Sequence, residues 1–225
     1  MKSPNNILLL LSILCYTACQ PALKKRRILV LGDSNGAVQS GWVYQFQQLR
    51  GGGPLVNTSV SGNTIGFNGL GDERLNTLSQ LVPYLRRGYA EMGAIDDVII
   101  ALGTNDCKIT YADASAERHV NYRSLLEEIK KFFTDRGQSL PKIILLSPPP
   151  IDDAKTEEGE FKGAAACVTE LASFISELAT SEGYCTTNLI TSLGDQLLKY
   201  SEDGIHFDAT GYELIARELV ESCYK

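Results

Sequence analysis

Five short runs of residues, three of them continuously apolar, each lead into a segment with helical periodicity. This alternation constrains the chain more than any other feature. The runs are 28–31, 55–60, 97–102, 142–146 and 183–187. Runs such as Ile28-Leu29-Val30-Leu31 and Val98-Ile99-Ile100 show no polar alternation, so they read as strands buried on both faces. Between them, apolar residues recur at helical spacing over 40–49, 72–87 and 114–136. The pattern continues through Cys167, Leu171, Phe174, Ile175 and Leu178, and again over 210–223. Strand and helix alternating five times predict a parallel sheet with helices on both faces. The expected architecture is therefore a single α/β domain, a three-layer α/β/α sandwich built on a five-stranded parallel sheet and spanning 28–225. A chain of 225 residues supplies core enough for that.

The first residues read as a processing signal rather than as part of the fold. Lys2 is the only early charge, and 7–14 is an apolar stretch too short to span a bilayer. Tyr16-Thr17-Ala18-Cys19 resembles a bacterial lipoprotein signal, which implies lipidation at Cys19. Ordinary secretion with cleavage near Ala18 is the alternative. Residues 1–18 are read as the signal peptide and 19–27 as a short tether. The expected location is outside the cytoplasm, as a membrane-anchored lipoprotein or a periplasmic or extracellular protein. Contact with a membrane is expected only through the N-terminal lipid. A net charge of −6 without a basic cluster in the folded part argues against a nucleic-acid partner.

Cys107, Cys167, Cys185 and Cys223 are widely spaced and form no C-x-x-C pair, so a zinc site is not expected. An exported chain permits disulfides, and four cysteines allow three pairings. Cys167, on the apolar face of a helix, reads as a small buried apolar residue. Cys185 has Cys167 and Cys223 as alternative partners.

The chemistry concentrates where strands end. The first strand stops at Gly32-Asp33-Ser34-Asn35-Gly36, which places a hydroxyl at the carboxyl edge of the sheet, where open α/β sheets hold ligands. A polar helix cap would look the same at this length. The glycine-rich turns contain neither G-x-G-x-x-G nor G-x-x-x-x-G-K, so no nucleotide cofactor is expected. Only two histidines are present. His119 sits among charged residues near a helix start and reads as a surface residue. His206 follows Asp203 by three residues in a glycine-containing loop, so one turn can present both side chains to one cleft. A serine nucleophile needs such a base, and the base needs an acceptor that fixes its tautomer.

Gly32-Asp33-Ser34, Gly62, Gly103-x-Asn105-Asp106 and Asp203-x-x-His206 together resemble the four sequence blocks of the SGNH (GDSL) hydrolases, across roughly 28–220. Asn35 stands where the family's short name has leucine. The resemblance implies the flavodoxin-like SGNH hydrolase fold and a serine esterase. Ser34 would be the nucleophile, His206 the base and Asp203 the residue that orients it. The oxyanion hole would comprise the backbone N–H groups of Ser34 and Gly62 and the side-chain amide of Asn105. Asp33 and Asp106 would brace loops, and no metal or cofactor is implied. The expected substrate is a small-molecule or carbohydrate ester with a short acyl group, acetyl above all. The loops 64–71 and 148–160 are expected to choose it and to form an open, polar mouth. Two readings stand beside this one: a lysophospholipase- or thioesterase-type acyl hydrolase, and a surface glycan-binding protein that keeps the fold without turnover.

Overall fold

The computed structural model describes residues 22–225; the expected signal peptide and Cys19 lie outside the described residues. The strands are β1 (Ile28–Gly32), β2 (Leu55–Asn57), β3 (Asp97–Ala101), β4 (Lys142–Leu146) and β5 (Cys185–Thr187). They form one parallel sheet in the order β2-β1-β3-β4-β5. The α-helices among the described residues are α1 (Ser34–Ala37), α2 (Trp42–Leu49), α3 (Thr77–Met92), α4 (Ser115–Thr134), α5 (Ala164–Glu182), α6 (Leu189–Ser192), α7 (Gly194–Leu198) and α8 (Ala209–Cys223). The chain runs from β1 outward to the edge at β2, then returns past β1 to build the other half. This reversal between β1 and β3 opens a crevice at the carboxyl ends of the strands.

Successive side chains of a strand point to opposite faces, and both faces here are covered. Leu29, Leu31, Val98, Ile100, Ile143 and Leu145 pack on α3, α4 and α5 through Leu81, Leu85, Leu125, Ile129, Val168 and Ile175. Ile28, Val30, Ile99, Ile144 and Leu146 pack on α2 and α8 through Trp42, Phe46, Ile215 and Leu219. The three-layer α/β/α sandwich expected from the sequence is the observed architecture.

Two elements differ most in extent from expectation. β2 stops at Asn57 rather than 60, because the Asn57 side chain accepts the Ser59 N–H at 3.0 Å and turns the chain. α3 starts at Thr77 rather than 72 and continues past 87 to Met92. Residues Glu73–Leu75 form a separate 3-10 turn, and Asn76 caps α3 by accepting the Ser79 N–H at 3.2 Å.

The reading of Cys167 as apolar packing is overturned. Cys167 is bonded to Cys107 and Cys185 to Cys223. Helical periodicity shows which face Cys167 occupies, but not that Cys107 arrives on that face from the turn after β3. The bonds close segments of 60 and 38 residues, and cross-links of that span are each worth roughly 3–4 kcal/mol by restricting the unfolded chain.

Candidate active site

The crevice is built from the ends of β1 and β3, the turn after β2 and the loop before α8. β1 delivers Ser34 as the first residue of α1, and Asp33 caps that helix by accepting the Asn35 N–H at 3.0 Å. Ser34 Oγ lies 2.9 Å from Nε2 of His206, and Nδ1 of His206 lies 2.7 Å from Oδ2 of Asp203. A carboxylate can only accept, so Nδ1 carries the proton and Nε2 is left to accept the Ser34 hydroxyl. The other oxygen of Asp203 accepts the N–H groups of His206 and Ile205 at 2.7 and 2.9 Å. Gly204 makes the tight Asp203–His206 spacing workable. Its φ is +82°, and a Cβ there would sit 2.9 Å from the Asp152 carbonyl. Partial burial works against ionisation of Asp203. The backbone N–H bonds and the His206 imidazole outweigh it and hold the carboxyl below its ordinary range.

The backbone N–H groups of Ser34 and Gly62 have no acceptor among the described residues. Gly62 adopts φ +84°, which strains any residue with a Cβ. Asn105 is buried, and its amide donates to the Asn63 carbonyl at 3.0 Å, which leaves the second N–H of its NH2 for another acceptor. Asn63 in turn donates to the Gly32 carbonyl at 3.1 Å. The turns after β1, β2 and β3 are thus tied to one another by side-chain bonds. The structure brings Ser34, His206 and Asp203 into direct contact, and it joins the turns of Gly62 and Asn105 through Asn63.

Several supporting residues had no distinguishing mark in the sequence. The Tyr212 hydroxyl on α8 donates to Asn35 Oδ1 at 3.0 Å and ties the last helix to the turn of Ser34. Arg118, buried on α4, donates to the carbonyls of Tyr111 at 2.7 Å and Asp106 at 3.4 Å. His119 is away from the crevice. It stacks on Phe174 with ring centres 3.8 Å apart and pairs with Glu170 at 2.7 Å, so it is half-buried rather than a plain surface residue.

Two buried carboxyl groups lie beneath the crevice. Both oxygens of Asp106 face the Ile65 N–H, at 2.9 and 3.1 Å, which fixes the loop after Gly62. Burial pushes Asp106 up to about 7, with the Asp33 charge adding to it and the Ile65 N–H opposing it. Burial pushes Asp33 up to about 6, opposed by the Asn35 N–H. A carboxyl raised in the folded state binds its proton longer than the unfolded chain does. Its contribution to stability is complete below about pH 4 and is lost as pH rises through about 6 for Asp33 and about 7 for Asp106. Asn at 106 keeps the acceptor for Ile65 and removes the charge. The melting temperature of Asp106→Asn protein is therefore expected to fall less than that of wild type between pH 5 and pH 8. Parallel curves for the two proteins, measured calorimetrically, would show that Asp106 does not titrate in this window.

A family model described as GDSL-like lipase/acylhydrolase matches residues 30–214. Similar solved structures include the native aryl esterase of M. smegmatis, 26% identical with a TM-score of 0.68, over 88% of this chain and 97% of that one. A carbohydrate acetylesterase from Sinorhizobium meliloti is 24% identical, with a TM-score of 0.68 and coverage of 88% and 97%. A lipase/acylhydrolase from Enterococcus faecalis is 22% identical, with a TM-score of 0.63 and coverage of 87% and 94%. No curated protein sequence matches the chain.

Proposed function

We propose, from the premise that this chain belongs to the GDSL-like lipase/acylhydrolase family, that it hydrolyses short-chain carboxylic esters, acetyl esters above all, through an acyl-enzyme on Ser34. Membership makes the chain a carboxylic ester hydrolase. The acyl preference and the residue roles are the proposal. One observation carries it: the continuous relay from Ser34 Oγ to His206 at 2.9 Å and on to Asp203 at 2.7 Å.

In this mechanism Ser34 Oγ attacks the ester carbonyl carbon while its proton passes to Nε2 of His206. The Asp203 carboxylate stays ionised and steadies the imidazolium. Negative charge develops on the carbonyl oxygen, facing the N–H groups of Ser34 and Gly62 and the amide of Asn105. The tetrahedral adduct collapses, His206 gives the proton to the departing alcohol oxygen, and the acyl group remains on Ser34. A water molecule then repeats the sequence with His206 as base and releases the acid. His206 must be neutral at both attacks to accept the proton.

Export belongs to the same proposal, with residues 1–18 as its signal and Cys19 as the lipid attachment point. The two disulfides support it, since such bonds persist in oxidising compartments.

The test uses a fluorophosphonate, which reacts with an activated serine. A single adduct located on Ser34 by peptide mapping is expected, with hydrolysis of p-nitrophenyl acetate lost in proportion to labelling. Hydrolysis that survives complete labelling would overturn the reading.

A further inference from the structure

A cavity of about 350 Å³ opens beside Gly62, walled by Asn68, Leu70, Lys108, Tyr111 and Glu160. Its polar wall is an ion pair: Lys108 Nζ lies 2.7 Å from Glu160 Oε2. The two residues come from separate segments that are fastened together. The Ile109 N–H donates to the Glu160 carbonyl at 2.7 Å, and Cys107, beside Lys108, is bonded to Cys167. The Lys108 ammonium also rests over the Phe161 ring, 5.4 Å from its centre. Lys108 is mostly buried and Glu160 half-exposed, so the pair is held in place while still facing the cavity.

The pair's charges cancel, yet its hydrogen-bonding capacity is not used up. An ammonium has three donors and a carboxylate two acceptor oxygens, and one of each is spent on the other. A donor and an acceptor side by side match a hydroxyl group, and they match neighbouring hydroxyls better. Asn68 adds an NH2 group, since its Oδ1 already accepts from Asn76 at 2.9 Å. The rest of the wall mixes Thr64, Thr110 and glycine backbone with the apolar surfaces of Leu70, Ile109 and Tyr111. Tyr111 is stacked on Phe67 with ring centres 4.3 Å apart, and Leu70 and Ile109 are exposed at the rim. A long acyl chain would have to strip water from the ion pair without replacing its hydrogen bonds, which is costly. An anion would find the lysine already neutralised.

We infer that this cavity is a sugar subsite: it binds the alcohol part of the substrate as a neutral pyranose, with hydroxyls on Lys108 and Glu160 and a C–H face on Tyr111 and Leu70. The inference rests on the esterase reading above and names the leaving group for it. With the carbonyl oxygen at the Gly62 N–H and acetyl as the acyl part, the sugar is what extends into the cavity. Its volume lies at the lower end of the ~300–1,000 Å³ usual for small-molecule sites, which suits a mono- or disaccharide.

The experiment compares singly O-acetylated cellobiose with p-nitrophenyl acetate, using wild type, Glu160→Gln and Lys108→Met. Wild type is expected to hydrolyse both. Each substitution is expected to lower the ratio of kcat/KM for the sugar ester to that for the aryl ester by about 10-fold or more, through KM of the sugar ester. Glu160→Gln, at a half-exposed position, keeps the test valid if Lys108→Met folds poorly. A ratio that stays at the wild-type value in Glu160→Gln overturns the subsite, as does wild type that cleaves the aryl ester but not the sugar ester. Both outcomes leave the esterase reading standing. Wild type that cleaves neither ester removes the esterase reading and the subsite with it.

Discussion

Alanine at Ser34, at His206, or at both is expected to lower kcat for p-nitrophenyl acetate by at least ~10⁴-fold, with the double variant no worse than either single one. The reason lies in the geometry. Among the described residues, Ser34 Oγ meets one imidazole, Nε2 of His206 at 2.9 Å, and that nitrogen contacts no other hydroxyl. Removing either partner removes the same event, the transfer of one proton during attack, so the two losses overlap instead of multiplying. KM is expected to change little, because neither side chain holds the rest of the substrate. Steady-state kinetics on the three variants, with circular dichroism to confirm folding, provides the check. A double variant markedly slower than both single variants would mean that the two residues act independently. A Ser34→Ala protein that retains wild-type turnover would place the nucleophile elsewhere.

Asn105→Ala should produce the second largest effect, a loss of ~10²–10³-fold in kcat with KM nearly unchanged. In the proposed mechanism the side chain's second N–H serves only once charge has built up on the carbonyl oxygen. An interaction made only in the transition state appears in kcat. The same amide also donates to Asn63 at 3.0 Å, so part of any loss could come from a loosened turn. Asn63→Ala separates the two roles. It keeps the Asn63 carbonyl that Asn105 uses and removes only the bond from Asn63 to Gly32. If Asn105→Ala and Asn63→Ala reduce kcat alike, Asn105 acts by bracing; if Asn105→Ala alone falls a hundredfold, it acts on the reacting oxygen.

Much of this could be read from the sequence, for identifiable reasons. β1, β3 and β4 lie inside the sheet, and strands buried on both faces must be continuously apolar, so Ile28-Leu29-Val30-Leu31 and its counterparts stood out. Ser34, Asn105 and the Asp203–His206 pair follow strands or precede the last helix, which is where a parallel sheet collects its loops. Less legible were features that join segments distant in sequence. Cys107 and Cys167 are 60 residues apart, and neither position carries a local sign of the other. Lys108 and Glu160 belong to two loops that look merely polar when read singly, and the cavity wall exists only once Cys107–Cys167 and the Ile109–Glu160 bond bring them together. The delayed start of α3 was hidden because Leu75 fits the helical spacing yet sits in a 3-10 turn, with Asn76 opening the true helix. Asp106 sits in a recognisable block, but its full burial against Ile65 depends on a loop whose path the sequence does not specify.

The distance along the chain between Ser34 and His206, 172 residues, bears on how the protein is made. Synthesis lays down β1 and the serine early, while the imidazole and α8 are among the last parts to leave the ribosome. If His206 is the base, as proposed, the serine lacks it until α8 docks beside α2 and Tyr212 reaches Asn35. On the proposed mechanism, a C-terminally clipped chain that lacks His206 is therefore expected to be silent toward esters.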